Sequence, residues 1–110
     1  MGNSAEHYTY RVHWSLEDDA YEGTVAELPL LSWLAPDATE AFAGIQLLAW
    51  ETVADLETDR EPVPVSISDQ EYSGKIMVKV PPEVHRRLAI EAAEQNVSLN
   101  HLAASRLIHA

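Results

Sequence analysis

The first pattern in the chain is an alternation of apolar and polar residues near its N-terminus, as expected for a strand with one buried face. The alternating apolar positions are Tyr8, Tyr10, Val12 and Trp14. A polar turn is predicted at residues 16–19, a return strand at residues 20–27, and a third short strand at residues 31–34. The front of the chain therefore predicts a small antiparallel sheet that starts with a hairpin.

A helical repeat follows the predicted sheet. Asp37 is a good N-cap residue and Glu40 stands three residues later, as in a capping box. Apolar residues then recur at helical spacing: Ala41, Phe42, Ile45, Leu48, Ala49, Val53 and Leu56. The pattern predicts a long amphipathic helix that ends near Thr58, because the prolines that follow cannot continue a helix. Residues 63–67 then predict an edge strand, and the polar residues 66–74 predict a linker.

The tail of the chain has a different pattern. Residues 75–80, which read Lys-Ile-Met-Val-Lys-Val, alternate with period two, and two prolines end this predicted strand and begin a helix. One face of that helix carries Val84, Leu88 and Ala92. The helix is predicted to run to about Gln95, and Asn96 suits the left-handed conformation that closes a helix. Ser98 suits the N-cap of a second helix. The apolar residues of that helix are Leu99, Leu102, Ala103 and Leu107.

The composition is that of an ordinary soluble protein, with 46% hydrophobic and 23% charged residues in a chain of 110. No run approaches the roughly 18 apolar residues of a membrane helix, and the N-terminus lacks the features of a signal peptide. The chain has no cysteine, which fits a reducing compartment. We therefore expect a cytoplasmic protein that does not associate with membranes.

The charge is divided unevenly along the chain. The net charge is −11, yet residues 74–110 hold five basic and three acidic residues, a net of +2 that leaves −13 for the rest. The basic residues of this tail are Lys75, Lys79, Arg86, Arg87 and Arg106. An acidic body joined to a mildly basic tail indicates two tasks with different partners.

The tail is too short to fold alone, because segments below about 40 residues usually need extra support. Two copies can supply that support by pairing their strands antiparallel and interlocking their helices. The shared core of such a homodimer would contain Ile76, Val78, Val80, Val84, Leu88 and Leu102. A homotetramer or larger assembly stays open.

The strand residues that face away from this core form a two-stranded ribbon of the kind that enters the DNA major groove. These residues are Lys75, Met77 and Lys79. The start of the second helix, at Ser98, Leu99 and Asn100, could bind a phosphate through backbone amides. An alternative is that the alternating strand is the solvated face of an ordinary sheet.

The tail resembles a known family. Residues 74–88, followed by the Asn-Val-Ser-Leu-Asn run of residues 96–100, resemble the C-terminal ribbon-helix-helix of HicB-type antitoxins. The front is similar to the HicB N-terminal domain, which is a partial, degenerate ribonuclease-H-like fold. Its matching features are the strands near residues 10–14 and 21–25, the acidic turn at residues 17–19, and the Ala-rich helix from about Ala38.

The resemblance implies an α+β protein of four parts. These are a disordered N-terminus (1–7), a toxin-binding domain (8–66), a linker (67–74) and a dimerising, DNA-binding ribbon-helix-helix (75–110). It also implies an antitoxin that covers HicA, a small basic RNA-cleaving toxin, and that represses the shared operon by binding operator DNA. The chain departs from the family at Met77, where asparagine is common, which leaves the base preference open.

Several residues are candidates for toxin contacts: Glu22, Glu27, Trp33 and Trp50. The alternative is that the tryptophans belong to the core and that the acids are solvated charges. Asp18 and Asp19 could be nuclease carboxylates, but a hairpin turn accounts for them better. We expect no enzymatic activity, no metal site and no cofactor. The alternative function is a stand-alone ribbon-helix-helix regulator without a toxin.

Overall fold

The computed structural model describes residues 3–110, and within them the chain divides into two compact units. The first unit extends to Tyr72 and the second runs from Ser73 to Ala110. The first contains a three-stranded antiparallel sheet and one long helix, and the second contains two shorter helices. The chain is therefore an α+β protein. Residues 1 and 2, which belong to the predicted disordered N-terminus, lie outside the described residues.

The sheet has the order β1-β2-β3, and both neighbouring pairs are antiparallel. The strands are β1 (Tyr10–Ser15), β2 (Ala20–Val25) and β3 (Ser32–Ala35). This confirms the predicted hairpin and third strand, with ends shifted by one or two residues. Asp19 adopts a φ of 50° in the β1–β2 turn, and the side chain of Asp18 accepts a hydrogen bond from Ser15 Oγ at 2.8 Å. Both aspartates therefore have a local role in the turn.

The long helix α1 (Ala38–Thr58) begins and ends where the sequence predicts. Asp37 Oδ1 accepts a hydrogen bond from the amide of Glu40 at 2.8 Å, which caps the first turn. The buried residues of α1 are Ala41, Ile45, Ala49 and Val53. Their spacing places them on one face, and that face covers one side of the sheet.

Close approach between α1 and the sheet depends on Gly23 in the central strand. A Cβ atom at this position would lie 2.6 Å from the carbonyl oxygen of Ala41 and 2.8 Å from the side chain of Ile45. The absence of a side chain therefore lets β2 lie directly under the helix. The core beside this contact contains Ala5, Tyr8, Val25, Ile45, Ala49 and Val53.

The N-terminal residues of the first unit are ordered, which corrects the predicted disorder for residues 1–7 where the structure describes them. Ser4–His7 form a 3₁₀ helix, and Asn3 caps it by accepting a hydrogen bond from the amide of Ala5. Ala5 is buried in the core, and the Asn3 side chain donates to the carbonyl of Trp50. Burial of Ala5 together with these hydrogen bonds accounts for the order of this segment.

Residues 63–67 do not form the predicted edge strand; instead, a closing segment at residues 63–69 lies against the N-terminal residues. The Tyr8 hydroxyl donates to the carbonyl of Pro64, and the buried Ser66 hydroxyl donates to the carbonyl of His7 at 2.6 Å. Ile67–Asp69 then form a 3₁₀ turn. Side-chain hydrogen bonds to the backbone hold this segment in place, without the backbone hydrogen bonds that would pair it with a strand.

The second unit contains α2 (Pro82–Glu94) and α3 (Leu99–Ile108). Asn96 has a φ of 57°, which confirms the predicted left-handed position after α2. Ser98 caps α3 by accepting a hydrogen bond from the amide of His101 at 3.0 Å, also as predicted. Ala92 and Leu102 are buried between the helices, and an ion pair joins Arg106 to Glu91.

Candidate DNA-binding and partner-binding surfaces

The predicted ribbon, residues 75–80, has no regular secondary structure in the single chain. No backbone–backbone hydrogen bond joins it to any residue that the structure describes. The Lys75 amide donates only to the Ser73 side chain. The segment therefore keeps its backbone donors and acceptors available for another strand.

The apolar side chains of this segment are also uncovered. Ile76 is 74% exposed and Val78 is 63% exposed, and Val80 is exposed as well. The other residues predicted for the dimer core are better covered, because Val84 and Leu88 are half-buried and Leu102 is buried. The helices thus supply a small core of their own, and the strand residues have nothing to pack against in a single copy.

Of the predicted DNA contacts, Lys75, Met77 and Lys79 are all exposed. At the start of α3, Asn100 is exposed and Leu99 is half-buried. The Ser98 side chain is engaged in capping the helix, so its hydroxyl already has a partner. The capping leaves the amides of Leu99 and Asn100 without an intrahelical acceptor, which is the arrangement that binds a phosphate.

The structure gives Glu27 a role that the sequence did not suggest. Its carboxylate accepts hydrogen bonds from the Thr9 amide at 2.8 Å, the Thr9 hydroxyl at 3.1 Å and the Ile67 amide at 3.0 Å. Partial burial works to raise the pKa of the Glu27 carboxyl, but these hydrogen bonds together lower the pKa below its ordinary value. Glu27 therefore ties the start of the sheet to the closing segment.

The other three candidate partner residues lie on two different sides of the first unit. Glu22 pairs with His13 at 3.0 Å, across from Leu34 on β3, so it lies on the sheet face away from α1. Trp33 lies directly opposite Gly23 and so points to the helix side. Trp50 lies on α1 and is partly exposed. Glu22 and Trp33 therefore lie on opposite faces of the sheet.

Part of the chain matches a known protein family. Residues 63–107 match the model of the HicB family. This stretch of the chain is similar to the HicB family. Neither a curated protein nor a solved structure matches the chain.

The HicB match covers the second unit almost completely and begins inside the first. It starts at residue 63 and so includes the closing segment, but it does not reach the sheet or α1. The match agrees with the HicB resemblance seen in the tail of the sequence.

The first unit also carries a surface that the sequence did not predict. Ala43, Leu47, Trp50 and Ala54 are exposed on α1, on the side opposite its buried face. The signal was present in the sequence as spacings of four, three and four residues. It was overlooked because the stronger repeat of the buried face overlaps it.

Two further observations concern metal binding and membrane spanning. Within residues 3–110, no group of three or more histidine, aspartate or glutamate side chains is arranged to hold a metal ion. None of the described helices combines the length and apolar character needed to span a bilayer.

Proposed function

We propose that this protein is an antitoxin that binds a HicA-type RNA-cleaving toxin through its first unit and represses its own operon through its second. The observation that carries the proposal is the uncovered segment at residues 75–80, which has unpaired backbone groups and exposed apolar side chains. A second copy can satisfy both needs at once. We assign no catalytic step to either unit.

Antiparallel pairing of two such segments would place alternate side chains on opposite faces. Ile76, Val78 and Val80 would join Val84, Leu88 and Leu102 in a shared core, where the area buried stabilises the dimer. Lys75, Met77 and Lys79 would then face outward on a ribbon narrow enough for the DNA major groove. The amides at the start of α3 would bind the flanking phosphates.

Electrostatics supports a basic protein as the partner of the first unit. The chain outside residues 74–110 carries a net charge of −13. Such a field repels nucleic acid and attracts a basic protein, and it raises the association rate more than the affinity. A basic toxin fits this surface, while the mildly basic tail fits DNA.

The DNA-binding part of the proposal is tested by Lys79→Ala. The substitution should lower operator affinity by about tenfold, because a good contact between a side chain and a base edge is worth about 1–3 kcal/mol. Neutralisation of the toxin should be unchanged, since Lys79 is exposed in the other unit. Mobility shifts on DNA upstream of the gene and a toxin-inhibition assay give the two readouts.

The matched control is Arg11→Ala, which removes one exposed positive charge from the first unit. Its operator affinity should equal that of the wild type. If Lys79→Ala and Arg11→Ala bind the operator equally well, the assignment of residues 75–80 as the DNA reader is wrong.

A further inference from the structure

The outer face of α1 is apolar where a solvated helix would be polar. Leu47 is 58% exposed and Trp50 is 38% exposed, and Ala43 and Ala54 lie one turn away on either side. The spacing of these four residues places them along one line. The buried face of the same helix is also apolar. A helix with apolar residues on both faces is normally covered on both.

Trp33 widens this apolar line on one side. A Cβ atom at Gly44 would lie 2.1 Å from Trp33 Nε1, so the indole lies against the helix backbone at a position without a side chain. The indole is still 43% exposed. Gly44 adjoins Ala43 in sequence and faces the same flank as Leu47 and Leu48. We call the resulting patch the α1 outer surface: Trp33, Ala43, Leu47, Trp50 and Ala54.

The charged residues that α1 places around its outer surface are all negative. Helix α1 has four exposed acids and no lysine or arginine. The acids are Glu40, Glu51, Asp55 and Glu57. Helical spacing sets Glu40, Glu51 and Glu57 three or four residues from members of the apolar line, so they border it. The surface thus has an apolar centre and an acidic rim.

An apolar centre with an acidic rim favours some binding partners over others. A second copy of the chain would bring two sets of four carboxylates together, and like charges across an interface are strongly unfavourable. The phosphates of a nucleic acid would meet the same repulsion. A protein with an apolar patch bordered by lysine or arginine would match both the centre and the rim.

We propose that the α1 outer surface is the docking site for the basic toxin, with Leu47 and Trp50 at its centre. This inference rests on the proposed antitoxin function and identifies the face that performs it. The inference divides the four toxin-contact candidates from the sequence into members and non-members of the site. Trp33 and Trp50 belong to the site, Glu22 lies on the opposite face of the sheet, and Glu27 is held within the first unit.

The test is Leu47→Arg in the full-length chain, measured against purified HicA-type toxin. The substitution places a positive charge at the centre of the site without touching the buried face of α1. We expect the Kd for the toxin to rise by about tenfold or more, as for a central interface residue. Operator affinity and the unfolding midpoint should not change.

The matched control is Leu16→Arg, in the β1–β2 turn, where the leucine is 84% exposed. It changes the net charge of the same unit by the same amount, so it reports the loss of long-range attraction alone. We expect its Kd to stay within about threefold of the wild type. The difference between the two variants therefore measures the local contact.

Three results would overturn the inference. Equal toxin affinity for Leu47→Arg and Leu16→Arg would remove the α1 outer surface from the site while leaving the antitoxin function intact. Failure of the wild type to bind the toxin would remove the proposed function and this site with it. A lower assembly mass for Leu47→Arg in the absence of toxin would show that a second copy covers the helix.

Discussion

Glu27 shows how much structure one carboxylate can hold together. It accepts three hydrogen bonds, two from Thr9 before β1 and one from Ile67 in the closing segment. Residue types and spacing gave no sign of this role, because the partners lie 18 and 40 residues away. By contrast, Asp37, Asn96 and Ser98 were predicted correctly, since a helix cap depends only on residues within the next or preceding turn.

Glu27→Gln should destabilise the first unit by about 1–2 kcal/mol at pH 7, because an amide has one acceptor oxygen where the carboxylate has two. The folded-state pKa of Glu27 is lowered. Its contribution is therefore present above the ordinary carboxyl pKa and is lost as the pH falls through the folded-state pKa. Urea unfolding of both proteins at pH 7 and at pH 3 measures this difference, which should shrink in acid.

Glu17→Gln is the control for Glu27→Gln, because Glu17 is an exposed acid in the β1–β2 turn. Its stability should match that of the wild type at both pH values. A Glu27→Gln protein as stable as Glu17→Gln at pH 7 would contradict the structural role assigned to Glu27.

At the scale of elements, the spacing of apolar residues predicted the strands and helices that have a regular apolar repeat. The hairpin, α1, α2 and α3 all follow from repeats of two or about 3.6 residues. The closing segment has no repeat, since side-chain bonds from Ser66 to His7 and from Tyr8 to Pro64 hold it. The 3₁₀ helix at Ser4–His7 was also not predicted. Burial of Ala5 stabilises it, and the core residues around Ala5 are distant in sequence.

The segment at residues 75–80 is the element that a single chain cannot complete. Val78→Asp should prevent dimer formation, because the strand alternation places Val78 in the shared core. Sedimentation of the purified protein at micromolar concentration should show the mass of a single chain. The change should also abolish operator binding.

Met77→Asp is the matched control for Val78→Asp. It introduces the same charge one residue earlier, where the side chain would face outward. This variant should remain a dimer even though its DNA affinity falls. Loss of the dimer in both variants, or in neither, would contradict the predicted alternation.

At the scale of the whole molecule, charge separates the two units. The acidic front and the basic tail have net charges of opposite sign, so their electrostatic fields favour different classes of partner. Local sequence patterns could predict this division, but they could not predict which face of the first unit a partner covers. That depends on how β3 and α1 come together around Gly44.

The proposed association of this protein with a basic toxin should depend strongly on salt. Raising the ionic strength from about 0.05 M to about 0.3 M shortens the screening length and should lower the association rate about tenfold. The dissociation rate should change much less, because contacts at the apolar centre are short-range. Stopped-flow mixing at several salt concentrations measures both rates. A salt-independent association rate would contradict electrostatic attraction between the partners.

The closing segment has a practical consequence for anyone exchanging parts between this chain and members of the HicB family. The family match begins at residue 63, yet Pro64, Ser66 and Ile67 form hydrogen bonds with residues before β1 or just after β2. A hybrid joined at residue 63 would combine the sheet and α1 of one protein with the closing segment of another. A junction after Tyr72 keeps the closing segment together with the rest of the first unit, to which it is hydrogen-bonded.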